Sequence, residues 1–167
     1  MSNLRQRCRY EQVADLAGVH RTSVYRNWPD RDELVSEAML QFGQDAAPIQ
    51  DTGDIRRDLV SIVVAQAASL GTPTGRALRK MLQQAPDSPA IQRVQAAYAN
   101  ERRAALQQRL DRAVGQGQLP AVDAEFLALL LSGPVHFHVL WTDRPLTRAY
   151  AERIVDVVLT GIRAAAR

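Results

Sequence analysis

The residues of this 167-residue chain best suited to chemistry crowd near its start: His20, Arg21, Thr22, Ser23, Tyr25, Arg26, Asn27 and Arg31. No nucleophile motif appears among them. Every one can donate a hydrogen bond, and together they match the chemistry of a duplex: Arg forks onto guanine edges, Asn onto adenine, Ser and Thr reach phosphate or base, and Tyr bonds phosphate. A second candidate set lies late in the chain, at His136 and His138. At a helical spacing of two they point to roughly opposite sides and cannot chelate one ion together, and no Cys, Asp or Glu cluster accompanies them. The GQG at residues 115–117 has neither a preceding strand nor a following Lys-Ser, so it reads as a helix terminator rather than a phosphate loop. Catalytic residues, metal and cofactor are expected to be none, and an enzyme built on a helical bundle has only the two histidines to recommend it.

The first set needs a scaffold, and the periodicity supplies one. Apolar residues recur at helical spacing throughout and period-two alternation is missing, which makes the chain all-α. Tyr10 to Ala17 forms a short helix ending at Gly18, and Arg21 to Asn27 forms a second, broken by Pro29. Val13, Leu16, Ala17, Val19 and Val24 are expected to pack between them, leaving the donors outward. Two short helices joined by a tight turn are a helix-turn-helix, whose second helix fits a major groove. Asp30 then caps a third helix carrying Leu34, Val35, Ala38, Met39 and Phe42. The breaker-rich stretch at 43–54 separates two parts: residues 1–45 as the helix-turn-helix module and 46–167 as a helical bundle of about five to six helices.

In the bundle, Ile55 to Leu70 makes a helix closed by Gly71, residues 73–85 make another, and Ser88-Pro89 opens a long helix ending at GQG. The stretch from Asp123 to Trp141 is apolar nearly all round, and the last helix, Leu146 to Ala166, carries an apolar stripe. Two such helices predict a surface completed by a second copy, with Phe126, Leu130, Phe137, Ile154, Val158 and Ile162 at the dimer interface.

Charge supports this division. Of the formal +3, all lies in residues 1–31, where six arginines face Glu11, Asp15 and Asp30; the remainder balances fifteen basic with fifteen acidic residues. A basic end on a neutral body suits a nucleic-acid partner, because phosphate neutralisation supplies most sequence-independent affinity. The single cysteine, Cys8, cannot form an internal disulfide and suits a reducing, cytoplasmic setting. No apolar run is long enough for a membrane span, and none follows the basic N-terminus as in a signal peptide.

The stretch VADLAGVHRTSVYRNWPDRDELV resembles the TetR family of transcriptional regulators. Ala17-Gly18-Val19 matches the family's turn, Arg21 to Asn27 its recognition helix, Tyr25 its phosphate-contacting tyrosine, Trp28 its usual Phe and Arg31 its usual Lys. The resemblance implies a homodimeric, ligand-responsive repressor whose partners are double-stranded DNA and an unidentified small-molecule effector. It also places an effector cavity after the linker, where Phe42, Tyr98, His136, His138 and Trp141 are candidate ligand contacts. Family members carry an amphipathic helix before the position of Tyr10, whereas MSNLRQRCR offers only Leu4 as a strong apolar residue. The expectation is therefore an incomplete module with its first helix missing, from truncation or a mis-assigned start. An alternative function follows: a helical ligand- or partner-binding dimer with impaired DNA binding.

Overall fold

Helix boundaries in this chain are set by short-range polar chemistry. The computed structural model describes residues 10–44, 48–76, 79, 88–142 and 144–166, and within these the backbone alone for Gln12, Leu16, Arg31, Gln44, Ala90 and Leu140. Seven helices, a further helical piece at 73–76 and no strand occur among the described residues; the seven are α1 (Tyr10–Ala17), α2 (Arg21–Asn27), α3 (Arg31–Gln44), α4 (Ile55–Gly71), α5 (Pro89–Gly115), α6 (Ala124–Trp141) and α7 (Arg148–Ala165). The all-helical reading holds. Residues 1–9, with Leu4, Cys8 and the question of a missing first helix, lie outside the described residues, as does most of the helix expected over 73–85, of which 73–76 are helical.

Side-chain caps open α4, α5, α6 and α7. Asp54 accepts from Arg57 N at 3.2 Å, Asp123 from Phe126 N at 2.8 Å and Thr147 from Tyr150 N at 3.2 Å. Ser88 Oγ accepts from Ile91 N at 3.3 Å, as the Ser-Pro pair predicts. At the far end of α5, Gly117 takes φ +69°, Gly117 N bonds Val114 O and Gln118 N bonds Ala113 O. That pair of bonds closes the last turn and makes GQG the terminator that its composition suggested. No described helix is long and apolar enough to cross a membrane.

The chain divides into two compact units: residues 1–45 with 76–98, and residues 46–75 with 99–167. Residues 76–98, which the sequence assigns to the second part, group with the first because Ile91 and Val94 of α5 pack with Val35 and Met39 of α3. Ser88 also donates to Asp32 on α3. Of the apolar residues expected on the inner face of α3, Val35 and Met39 are buried, Leu34 and Phe42 are half-buried, and Ala38 is exposed.

The second unit is built around Leu59, Val63, Leu110, Leu127, Leu131, Val135, Val155 and Leu159 from α4, α5, α6 and α7. Within this apolar core sits an ion pair: Arg109 Nε donates to Asp58 Oδ2 at 2.7 Å, with both side chains fully buried. Asp58 also accepts from Thr52 Oγ1 at 2.6 Å and from Thr52 N, so its carboxylate fastens the segment before α4 to α5. Asp51 bridges Arg109 and Arg112 at 3.3 and 2.6 Å. Desolvating two charges is costly, and here each contact to Asp58 offsets part of that cost. On the surface of this unit, Arg56 of α4 grips Asp156 of α7 through two bonds of 2.6 and 2.8 Å.

Removing Asp58 takes away the only fully buried carboxylate facing Arg109 among the described residues and leaves it the longer, 3.3 Å contact to the partly exposed Asp51. Asp58→Ala is expected to lower unfolding free energy by about 3–5 kcal/mol, and Asp58→Leu with Arg109→Met to recover a large part of it, as read by urea denaturation. Asp58→Ala at wild-type stability would show that the pair carries no such weight. The acid limb of stability follows from two other carboxylates. The Gly53 amide and the neighbouring Arg109 and Arg112 hold Asp51 below its ordinary value, and Arg56 does the same for Asp156. Their stabilisation is therefore present above the unfolded carboxylate pKa and lost as pH falls through the lower folded values. Melting temperature should fall as pH drops below about 4, with a shallower fall in an Asp51→Asn, Asp156→Asn double variant.

Candidate nucleic-acid interface

The turn between α1 and α2 rests on one backbone conformation. Gly18 takes φ +65°, Gly18 N bonds Asp15 O at 3.3 Å and Val19 N bonds Ala14 O at 3.0 Å. These two bonds satisfy carbonyls left open at the end of α1 and redirect the chain at once. A Cβ at Gly18 would meet nothing within 4 Å, so the glycine serves the left-handed φ and not close packing. His20 follows in an extended conformation and caps α2, its Nδ1 accepting from Thr22 N at 3.3 Å. Its ring is thus engaged by its own helix on the Nδ1 side.

Three anchors fix α2. Val24 is 2% exposed and pins the middle of the helix. At the C-terminal end Trp28 N bonds Val24 O at 2.9 Å, and the Trp28 indole donates to Glu37 Oε2 of α3 at 2.7 Å. Asp30 Oδ1 accepts from Asp32 N, starting α3 immediately afterwards. The buried face of α1 is centred on Ala14, with Val13 half-covered, while Ala17 and Val19 are exposed. The expected packing of Ala17 and Val19 is thereby corrected. Both sit where the left-handed turn leaves the helix, so the 3.6-residue wheel no longer assigns their direction. The side chain of Leu16 lies outside the described residues.

With Val24 inward, the donors face out. His20, Arg21, Thr22, Tyr25, Arg26 and Asn27 are exposed and Ser23 is half-buried. The Tyr25 ring lies 4.3 Å from that of Tyr10, tilted by 38°. Arg31 begins α3, but its side chain lies outside the described residues. The Trp28 bond to Glu37 and the Tyr10 contact with Tyr25 were not expected from the sequence. Only a residue pair at the right distance in space signals them.

The candidate effector residues do not form one cluster within either unit. Phe42 and Tyr98 belong to the first, where the half-buried Tyr98 ring lies so close to Gly43 that a Cβ there would stand 2.8 Å from it. His136, His138 and Trp141 belong to the second. His136 Nδ1 pairs with Ser132 O and His138 Nε2 with Arg144 O, each at 2.9 Å, and His138 also stacks near Tyr150. Each imidazole therefore spends one nitrogen on a backbone carbonyl. Trp141 is 74% exposed and stacks on Phe137, which is 65% exposed.

The candidate dimer residues divide in a similar way. Phe126, Leu130 and Phe137 lie along an exposed stripe of α6, joined by Leu129 and Trp141. Ile154, by contrast, is 9% exposed in the core, and Val158 and Ile162 pack partly against it. On α7 the outward apolar residue is Val157.

Residues 49–158 match the family described as tetracyclin repressor-like, C-terminal domain. The chain is 28% identical over 153 residues to the HTH-type transcriptional regulator AqdR of Rhodococcus erythropolis, covering 91% of this chain and 74% of that protein. It is 31% identical over 166 residues to the DNA-binding transcriptional repressor TetR of Mycobacteroides abscessus, covering 94% of this chain and 84% of that one. Among solved structures, the TetR family transcription regulator SCO0332 superposes with a TM-score of 0.68 at 30% identity, over 95% of this chain and 88% of the other. Likeness at this level, over nearly the whole chain and beside a family match spanning more than half of it, places this chain in the TetR family of transcriptional regulators, a family that is not enzymatic.

Proposed function

We propose that this chain is a ligand-responsive repressor that binds operator DNA in the cytoplasm as a homodimer, with α2 entering the major groove. The observation that carries the reading is the division of α2 into a single buried Val24 and an outward set of donors that includes Arg21, Thr22, Tyr25, Arg26 and Asn27. Arg21 and Arg26 read guanine edges or neutralise phosphates, Asn27 reads adenine, and Tyr25, Thr22, Ser23 and Arg31 hold the phosphate backbone. His20 contributes less to direct readout, since its Nδ1 already accepts the Thr22 amide.

Two copies are needed because half-sites one helical turn apart require two recognition helices at that separation. The α6 stripe of Phe126, Leu129, Leu130, Phe137 and Trp141, with Val157, Val158 and Ile162 on α7, supplies the apolar surface for pairing. Ile154 supports that surface from inside. An effector acts by favouring a helix spacing that misses the duplex, with His136, His138 and Trp141 of the second unit as its candidate contacts. The likeness to a named transcriptional repressor supports repression over activation.

Mobility-shift titrations of wild type, Arg21→Ala and Arg26→Ala, repeated at several salt concentrations, test the DNA reading. An arginine on phosphate should weaken binding to all sequences alike and reduce the salt slope by about 1. An arginine on a base edge should cost about 1–3 kcal/mol for the preferred sequence only. Unchanged affinity in both variants, or no shift for wild type at low salt, contradicts the assignment of α2.

A further inference from the structure

We infer that Tyr10 is a positioning residue for DNA binding, a flat platform that holds the Tyr25 ring in its phosphate-bonding orientation. The inference rests on the reading of α2 as the recognition helix and adds to it a residue outside that helix. Tyr10 opens α1, and its ring centroid lies 4.3 Å from that of Tyr25 at an interplanar angle of 38°. Tyr25 is 44% exposed, so about half of its surface is covered while the rest remains open to a partner.

The contact is not required to place α2 itself. His20 caps that helix at one end, Trp28 ties it to Glu37 at the other, and Val24 buries its middle. What these anchors leave undetermined is the Tyr25 side chain, which projects from a helix surface and without a neighbour would occupy several rotamers. A hydroxyl at the end of a freely rotating ring loses conformational entropy when it binds a phosphate oxygen, whereas a ring already held against a second ring has lost it beforehand. Aromatic pairs in offset or tilted geometry attract beyond the area they bury, which is sufficient to bias one rotamer. The tyrosine at position 10 thus shapes affinity without touching the duplex, and it acts equally on every sequence because phosphate contacts carry no base information.

The test is a double-mutant cycle on the full chain with a 30-base-pair mixed-sequence duplex at low salt as probe. Tyr10→Phe, which keeps the ring, should bind as wild type. Tyr10→Ala should bind about two- to tenfold more weakly, the range corresponding to one aromatic pair. In a Tyr25→Phe background, where the phosphate-bonding hydroxyl is gone, Tyr10→Ala should weaken binding no further. Circular dichroism melts run alongside, and if Tyr10→Ala unfolds at the assay temperature, Tyr10→Leu takes its place in the cycle. Weak binding by Tyr10→Phe would overturn the inference by showing that the buried Tyr10 hydroxyl matters where the ring alone should suffice. Wild-type affinity in Tyr10→Ala, or losses that add in the double variant, would overturn it as well. Failure of the wild type to bind any duplex would count against the recognition-helix reading instead.

Discussion

The orientation of α2 depends on one left-handed residue. Gly18 allows the α1 carbonyls of Ala14 and Asp15 to be satisfied by the amides of Val19 and Gly18 while the chain reverses direction in three residues. Any residue with a Cβ would hold this conformation at a cost of about 1–2 kcal/mol, because φ is positive there. Since space around it is open, that cost is conformational alone. The His20 cap, the burial of Val24 and the outward turn of Arg21 and Arg26 all follow from this reversal. A helix of seven residues is too short to be stable by itself. Its anchors at both ends and the middle are what hold it in place.

The second unit solves a different problem, that of holding four helical segments in one arrangement. Apolar burial of Leu59, Leu110, Leu127 and Val155 supplies the drive but little direction, because such packing tolerates shifts. The buried Asp58–Arg109 pair adds direction. Its partners Thr52, Asp51 and Arg112 extend the pairing outward, so that the segment ahead of α4 and the body of α5 share one polar network. Pro134 lies inside α6 and removes the amide that would have bonded Leu130 O. Two positions later, the His136 ring bonds Ser132 O, so polar side chains also enter this otherwise apolar helix.

The parts of this structure legible in the sequence are those decided within a few residues. Gly18 and Pro29 bound α1 and α2, Asp30 and Ser88 mark helix starts, and Gly117 ends α5, each through a local hydrogen bond or a local φ. The outward set on α2 was legible for the same reason, since a helix of known register with one apolar residue has an obvious inner side. Pairings across the chain were not. Arg109 and Asp58 are separated by 51 positions, and nothing near either announces the other. Trp28 with Glu37 and Tyr10 with Tyr25 are invisible for that reason too. In α6, apolar nearly all round, Phe126, Leu130 and Phe137 were expected at a surface and are exposed, but the sequence did not single out Leu127, Leu131 and Val135 as the residues that face the core. Ile154 was expected outward because the stripe on α7 was read as one face, whereas the core takes Ala151, Ile154, Val155 and Leu159 and leaves Val157 outside.

The proposed function requires a symmetric pair of recognition helices offered to successive turns of a duplex. The most direct test is selection of bound sequences from a random double-stranded DNA pool by the purified chain. An enriched inverted repeat with half-site centres about 10–10.5 base pairs apart, or a multiple of that, is the predicted result. Enrichment of a single unrepeated half-site, or of no sequence, would contradict the account.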